Sequence, residues 1–134
     1  MGRTFPLPFT LMTTNTQLNA SEKMAIQVVL SALKPFSKLR RSMPLPFATT
    51  FLLVAVDEGR TVSSYAHQLG ITRFMMSRYI RNVGEHARNG GPGLGLVAVK
   101  PHPTVANGLQ VCLTAKGRSL AKAIFQQMRN AQSA

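Results

Sequence analysis

Apolar and polar positions alternate along the chain with the period of helices for most of its length. Apolar side chains recur every three to five residues between Met24 and Leu39, which predicts a first helix from Ala20 to Arg41. Asn19 and Glu22 have the spacing of a capping box at its start. A basic cluster that includes Lys38 and Arg40 lies at its end, where cations suit the helix dipole.

A second apolar segment follows a proline-containing connector at 42–46. Residues 47–56 are apolar nearly all round, which predicts a helix in the middle of a core. Gly59 is predicted to end this helix as a left-handed cap.

Two short helices on either side of a tight turn are predicted next. Ser63 is expected to cap the first of them, and Thr72 is expected to cap the second, which runs from Arg73 to about Val83. Gly70 tolerates the positive φ that the turn needs, and Ala66 is small enough for the helices to cross closely. This spacing is typical of a helix-turn-helix unit.

Apolar residues at helical spacing would hold the second helix of this unit on the core, which leaves a basic outer face. The apolar set is Leu69, Ile71, Met76, Ile80 and Val83. The outer face holds Thr72, Arg73, Ser77, Arg78 and Arg81. Guanidinium groups pair with guanine or clamp phosphate, and hydroxyls reach either, so this face suits the major groove of DNA. Phe74 and Met75 lie near this face, where they either contact a thymine methyl or fold back onto the first helix of the helix-turn-helix unit.

A hairpin and a last helix complete the predicted order. Residues 94–99 predict one strand, and Leu109–Leu113 predict the return strand after a turn at 101–108. Thr114 is expected to cap the last helix, whose apolar stripe is Leu120, Ala121, Ile124, Phe125 and Met128. The predicted fold is mainly α with a small β-hairpin, a winged helix-turn-helix. An N-terminal arm at 1–18 would precede a single domain at 19–134 with flanking helices.

The charge balance indicates an anionic partner. Lys and Arg number 16 against 4 acidic residues, a formal net charge of +12 over 134 residues. Such an excess favours nucleic acid, an acidic membrane surface or an acidic protein as partner. With so few carboxylates, a carboxylate metal site or a two-carboxylate hydrolase is not expected.

The single cysteine and the lack of catalytic motifs argue against several other kinds of site. Cys112 stands alone, so no internal disulfide and no cysteine-rich zinc site are expected, and a reducing, cytoplasmic setting fits. No apolar run reaches the roughly 18 residues of a membrane span. The sequence shows no nucleophile–base pair, phosphate loop or metal cluster. We therefore expect neither an enzyme nor a bound cofactor or metal.

Residues 45–128 resemble the winged helix-turn-helix of the MarR family of bacterial transcription regulators. The resemblance rests on Tyr65–Thr72, on Met76–Val83 and on Val111–Arg118, which matches the family's pattern L-T-x-K-G-R. In that family the second helix of the motif, about 72–83 here, lies in the major groove, and the hairpin reaches toward the minor groove as a wing. The resemblance implies groove contacts for these residues: Arg73, Ser77, Arg78 and Arg81.

The wing departs from the family pattern. The family's wing tip usually carries Asp-x-Arg, whereas this chain has Val105 and Asn107 at those positions. Positive charge in this wing comes from Lys100 and His102, which complete the candidate DNA-binding set. The family dimerises through a further helix after this region, so we expect the first and last helices to carry the interface of a homodimer. No residues for a small-molecule effector are carried over.

The main hypothesis is a non-enzymatic transcription regulator that binds double-stranded DNA as a homodimer. A two-fold dimer would place its two second helices about one DNA turn, ~34 Å, apart on a pseudo-palindromic site. One alternative is a winged-helix interaction or dimerisation module that does not read DNA, which the uncharged wing tip and the apolar pair Phe74 and Met75 favour. Another is a replication or plasmid-maintenance protein with the same DNA-binding fold.

Overall fold

The computed structural model describes residues 17–85 and 91–133. Within these ranges the chain forms five helices and one antiparallel hairpin, which confirms the predicted class. In chain order they are α1 (Ala20–Leu39), α2 (Leu45–Val56), α3 (Val62–Leu69), α4 (Arg73–Val83), β1 (Val97–Pro101), β2 (Leu109–Leu113) and α5 (Ala115–Ser133). All but the last two residues of the predicted arm 1–18 lie outside the described residues.

Helix α1 begins with the predicted capping box. The Asn19 side chain accepts the Glu22 N–H at 2.8 Å, and the Glu22 carboxylate accepts the Asn19 N–H at 2.9 Å. The helix ends at Leu39 rather than Arg41, because Arg40 takes an extended conformation with φ −153° and ψ 122°. The change of direction at Arg40 leads the chain into the connector before α2.

Helix α2 packs into the core with only one of its faces. Phe51 and Val54 are buried, and the Phe51 ring meets the Phe36 ring of α1 edge-on at 5.8 Å. Val56, in contrast, is 85% exposed, so the prediction of a helix surrounded by core is wrong for its far side. The helix also begins two residues earlier than predicted, because Pro46 fits the first turn, where its missing N–H is not needed.

The hairpin starts later than predicted. Val97 pairs with Leu113 and Pro101 with Leu109, so β1 covers 97–101 rather than 94–99. The Leu94 and Leu96 N–H groups instead donate to carbonyls at the end of α4, at 3.0 and 2.9 Å. Residues 94–96 therefore fasten the hairpin to α4 instead of extending the strand.

Helix α5 begins at a tightly bonded junction. The Thr114 hydroxyl accepts the Gly117 N–H at 3.0 Å, as the predicted cap, and donates to the Gly95 carbonyl at 2.7 Å. The helix then packs along α1, burying Ile124. Phe125 is 60% exposed and lies under the Arg129 guanidinium, so its predicted place in the apolar stripe is wrong. Helix α5 thus packs against both α1 and β2.

Candidate nucleic-acid interface

A hydrogen-bonded turn fixes α4 relative to α3. Gly70 has φ +69°, and its N–H donates to the carbonyls that end α3. The Ile71 N–H then donates to the Ala66 carbonyl at 3.1 Å, and the Thr72 hydroxyl accepts the Met75 N–H at 3.1 Å. The predicted roles of Gly70 and of Thr72 as a cap are therefore confirmed, and the Thr72 oxygen is already used within the chain.

The predicted cap of α3 is wrong. Thr61, not Ser63, is the N-cap, and its hydroxyl accepts the Ser64 N–H at 3.2 Å. Thr61 is held there because it also bridges to Gln110 in β2. The Ser63 hydroxyl is left free of capping and takes up a position beside α4.

Helix α4 is anchored by one buried stripe. Met76, Ile80 and Val83 are buried in the core, as their spacing predicts. Residues three and four apart share a face of a helix, so the remaining positions form parallel exposed stripes. The polarity of those stripes determines what α4 can contact.

The first exposed stripe, here the groove stripe, consists of Arg73, Ser77 and Arg81, each one turn after the last. The Arg73 Nε donates to the Ser63 hydroxyl of α3 at 3.1 Å. This bond orients one guanidinium and leaves its two terminal nitrogens available for an anion. Sequence reasoning missed this role of Ser63, since nothing local links residues of two crossing helices.

The second exposed stripe, here the outer stripe, consists of Phe74 and Arg78. Phe74 is 68% exposed, and the Arg78 guanidinium carbon lies 5.7 Å from the centroid of its ring. A cation over an aromatic face is attracted by the ring quadrupole. Phe74 therefore neither folds back onto α3 nor stands alone, but supports the cation beside it.

A groove of about 300 Å³ separates α4 from the hairpin. The groove stripe lines one side of it with two guanidiniums and a hydroxyl. Its other walls are mostly apolar, with the acidic side chain of Glu85 as the exception, and the apolar lining comes from the following residues: Val62, Ile80, Val97, Val99 and Leu109. The groove therefore combines a cationic edge with an apolar floor directly beside the exposed surface of α4.

The two wing candidates lie apart from α4. Lys100 alternates with Val99 along β1, so its side chain points to the hairpin face opposite the groove. Its charge acts there on Glu58. The His102 Nδ1 accepts the N–H groups of Thr104 and Val105 at 3.2 and 3.1 Å, which orders the wing tip. The structure thus brings four candidates together on α4, places Thr72 at its N-cap, and leaves Lys100 and His102 separate. The four on α4 are Arg73, Ser77, Arg78 and Arg81.

Three of the four acidic residues are engaged away from α4, and the fourth, Glu85, lines the groove together with Arg73 and Arg81. Glu22 belongs to the capping box, Asp57 pairs with Arg60 at 2.7 Å, and Glu58 pairs with Arg118 at 2.9 Å. In residues 17–85 and 91–133, no carboxylate lies within 4.0 Å of the guanidiniums of the groove stripe or of Arg78. These guanidiniums therefore form no ion pair within the described ranges, and Glu85 is the carboxylate that shares the groove with Arg73 and Arg81.

The described part of the chain offers no other candidate centre of this kind. It contains no group of three or more His, Cys, Asp or Glu side chains placed to hold a metal ion. None of its helices combines the length and the hydropathy that crossing a membrane requires.

Comparison with solved structures gives the fold type. A MarR transcriptional regulator from Methanosarcina mazei Go1 has a TM-score of 0.56 at 14% identity, over 81% of this chain and 71% of its own. A mutant of MepR from S. aureus, bound to an oligodeoxyribonucleotide, has a TM-score of 0.60 at 17% identity, over 87% and 81%. The transcriptional repressor CouR, bound to a 23-mer DNA duplex, has a TM-score of 0.54 at 20% identity, over 91% and 80%.

At these identities the likeness is one of fold. It confirms the winged helix-turn-helix fold that the sequence predicted. No protein-family profile matches the sequence, and a search of curated proteins finds no relative.

Proposed function

We propose that this chain is a DNA-binding transcription regulator that inserts α4 into the major groove of double-stranded DNA. The observation that carries the proposal is the pair of exposed stripes on α4, with Arg73, Arg78 and Arg81 unpaired with acids in the described residues. An α-helix fits the major groove, and a guanidinium can pair with guanine O6 and N7 or with phosphate. The two stripes together present three such groups on one side of the helix.

Electrostatics supports the same partner. A net charge of +12 would attract any polyanion, and phosphate neutralisation makes affinity fall steeply with salt. The groove stripe faces the space beside α4, where a phosphate strand runs when a helix occupies the major groove. Arg73 and Arg81 would then hold the backbone, while Arg78 on the outer stripe would reach base edges.

The solved structures of similar fold support a regulator rather than an enzyme. Two of them, the MepR mutant and CouR, were determined with DNA bound. We extend that partner to this chain because its α4 offers the matching chemistry. A regulator of this kind acts where the DNA is, so we place it in the cytoplasm.

We also propose that the chain acts as a homodimer. Between Met24 and Leu33, helix α1 carries no charged side chain, and Ile26, Val29 and Leu30 are 54%, 58% and 51% exposed. Contiguous exposed apolar surface of this kind marks an interaction site. A second copy, packed through α1 and α5, would cover it and set two α4 helices about one DNA turn, ~34 Å, apart.

Selection of bound sequences from a random duplex pool tests the proposed function. The parent chain should enrich pseudo-palindromic sites and bind random duplex in a salt-dependent way. The triple variant with Arg73→Ala, Arg78→Ala and Arg81→Ala should lose enrichment. The matched control removes equal charge from α1 and α5 through Lys23→Ala, Lys122→Ala and Arg129→Ala, and should keep it.

The same experiment tests the alternative of a protein-interaction module, which the exposure of Phe74 favours. A parent chain that binds no duplex even at low salt would contradict the regulator and favour the module. Equal enrichment by the parent and the triple variant would contradict the assignment to α4.

A further inference from the structure

A stack of three side chains holds the Arg40 guanidinium beside α4, outside both the groove stripe and the outer stripe. The Arg40 guanidinium carbon lies 5.9 Å from the centroid of the Phe47 ring. The Phe47 ring in turn lies 6.3 Å from the Tyr79 ring of α4, tilted by 60°. Arg40 follows the end of α1, and Phe47 lies in the first turn of α2. The stack therefore brings the α1–α2 junction to the side of α4.

Arg40 and the groove stripe lie on opposite sides of α4. Tyr79 shares a third stripe with Met75, one turn before it. Around the helix, this third stripe and the groove stripe are separated by the outer stripe on one side and by the buried stripe on the other. Exposed cations therefore border α4 on both sides, Arg73 and Arg81 on one and Arg40 on the other.

The position of Arg40 is fixed by the fold. Its N–H donates to the Phe36 carbonyl at 3.0 Å, and its extended backbone ends α1 at this point. Phe47 is half-buried and packs against the hydrophobic core, so the ring under the guanidinium is held in place. No carboxylate of the described ranges lies within 4.0 Å of this guanidinium. Arg40 therefore presents an oriented donor group without an acidic partner.

We infer that Arg40 binds a phosphate of the DNA strand that borders α4 on the side away from the wing. The inference rests on the proposed function. The major groove is about 12 Å wide and a helix with its side chains is about 10–12 Å across, so a docked helix lies between two phosphate strands. The groove stripe faces one strand, and the Arg40 stack faces the other. A guanidinium suits this contact because it can bind phosphate through two parallel hydrogen bonds.

The test measures how the affinity of Arg40→Ala depends on salt, on a selected duplex and on a random duplex. A lost phosphate contact flattens the slope of log K against log salt by about one for each Arg40, or about two for a dimer. The loss should be the same factor on both duplexes, because phosphates carry no sequence information. Lys23→Ala, at the other end of α1, removes the same charge and should leave the slope unchanged.

A second variant separates position from charge. Phe47→Leu keeps every cation and an apolar side chain but removes the ring under Arg40. It should weaken binding to both duplexes by one common factor, smaller than that of Arg40→Ala, with thermal denaturation confirming that the variant is folded.

The outcomes separate the inference from the proposed function. An unchanged slope for Arg40→Ala in a protein whose parent binds duplex would overturn the inference alone. A loss confined to the selected duplex would also overturn it, since that indicates a base contact. A parent without salt-dependent binding would contradict the proposed function, and the inference would fall with it.

Discussion

The guanidinium of Arg118 and the carboxylate of Glu58 form a bidentate ion pair, with 2.9 Å between Nη1 and Oε2 and 3.1 Å between Nη2 and Oε1. The same carboxylate accepts the Leu113 N–H at 2.8 Å. It thereby joins the end of α2 to the junction of β2 and α5. Arg118 belongs to the motif that matches L-T-x-K-G-R. Because its guanidinium is paired with Glu58, we assign this motif a structural role and do not include Arg118 among the proposed DNA contacts.

Glu58→Gln is expected to lower the free energy of unfolding by about 1 kcal/mol near neutral pH. The Leu113 N–H, and then Arg118, hold the pKa of Glu58 below its usual value of 4.5. The folded protein thus binds this proton less tightly than the unfolded chain. The stabilisation is present above pH 4.5 and is lost as the pH falls through the lower folded value.

Urea denaturation over a series of pH values checks this. The free energies of the parent and of Glu58→Gln should converge in acid. The control is Asp57→Asn, which removes the exposed ion pair with Arg60 and should change stability by less than about 1 kcal/mol. A difference for Glu58→Gln that stays constant with pH would contradict the expected role of its charge.

Tyr65→Phe is expected to lower the free energy of unfolding by about 1–3 kcal/mol. The buried Tyr65 hydroxyl donates to the Asp57 carbonyl at 2.6 Å and accepts the Arg60 N–H at 3.2 Å, so its removal leaves both groups without that partner. Burial raises the pKa of Tyr65 above 10.0, so the folded state holds this proton more tightly. The resulting stabilisation is complete below that pH and is lost as the pH rises through the higher folded value.

Denaturation at neutral and at alkaline pH measures this effect. The parent should lose stability above pH 10.0 relative to Tyr65→Phe. Tyr79→Phe, which keeps the ring contact with Phe47, is the matched control and should change little. A stability of Tyr65→Phe equal to that of the parent at neutral pH would rule out the structural role of this hydroxyl.

The sequence predicted the parts of the fold that depend on neighbouring residues. The spacing of Met76, Ile80 and Val83 gave the buried face of α4 because helix geometry relates residues three and four apart. Gly70 and Thr72 gave the turn because their roles are local. The candidate α4 residues therefore came directly from the periodicity.

What the sequence did not predict depends on residues far apart in the chain. Thr61 rather than Ser63 caps α3 because of its bridge to Gln110. Lys100 points away from α4 because of a hairpin register that begins at Val97. Neither the partner of Arg118, 60 residues away, nor the stack on Arg40 leaves a periodic signal.

Gly117→Ala and Gly70→Ala should lower the free energy of unfolding by different amounts, because each acts through a different physical cause. A Cβ at Gly117 would clash with the Leu96 carbonyl oxygen, so Gly117→Ala forces the start of α5 away from the hairpin and should cost about 3 kcal/mol. A Cβ at Gly70 meets nothing within 4 Å, so Gly70→Ala suffers only the strain of φ +69°, about 1–2 kcal/mol. Thermal denaturation of both variants measures the costs. A greater loss for Gly70→Ala would contradict the close packing at Gly117.

Arg78→Ala is expected to weaken binding to a selected duplex by roughly 1–3 kcal/mol and to relax its sequence preference. Arg78 stands on the outer stripe of α4, from which it would reach base edges in the proposed complex with DNA. Phe74→Leu keeps the charge and removes the supporting ring, so its loss should be smaller, about 0.5–1 kcal/mol.

Fluorescence anisotropy on selected and random duplexes measures both variants. Lys23→Ala, near the start of α1, serves as the charge control and should have little effect. An equal loss for Arg78→Ala on the two duplexes would show that Arg78 contacts phosphate rather than bases.

Val29→Lys is expected to dissociate the proposed dimer. Val29 is 58% exposed within the uncharged apolar part of α1, so a lysine there would place a charge in the interface without disturbing the folded chain. Sedimentation should give the mass of one chain for Val29→Lys and of two for the parent. Val105→Lys adds the same charge at the wing tip and should remain a dimer. The monomeric variant should also lose its preference for two half-sites over one, because that preference depends on two α4 helices held ~34 Å apart. A parent that sediments as a single chain would contradict the dimer and leave α4 to bind a single half-site.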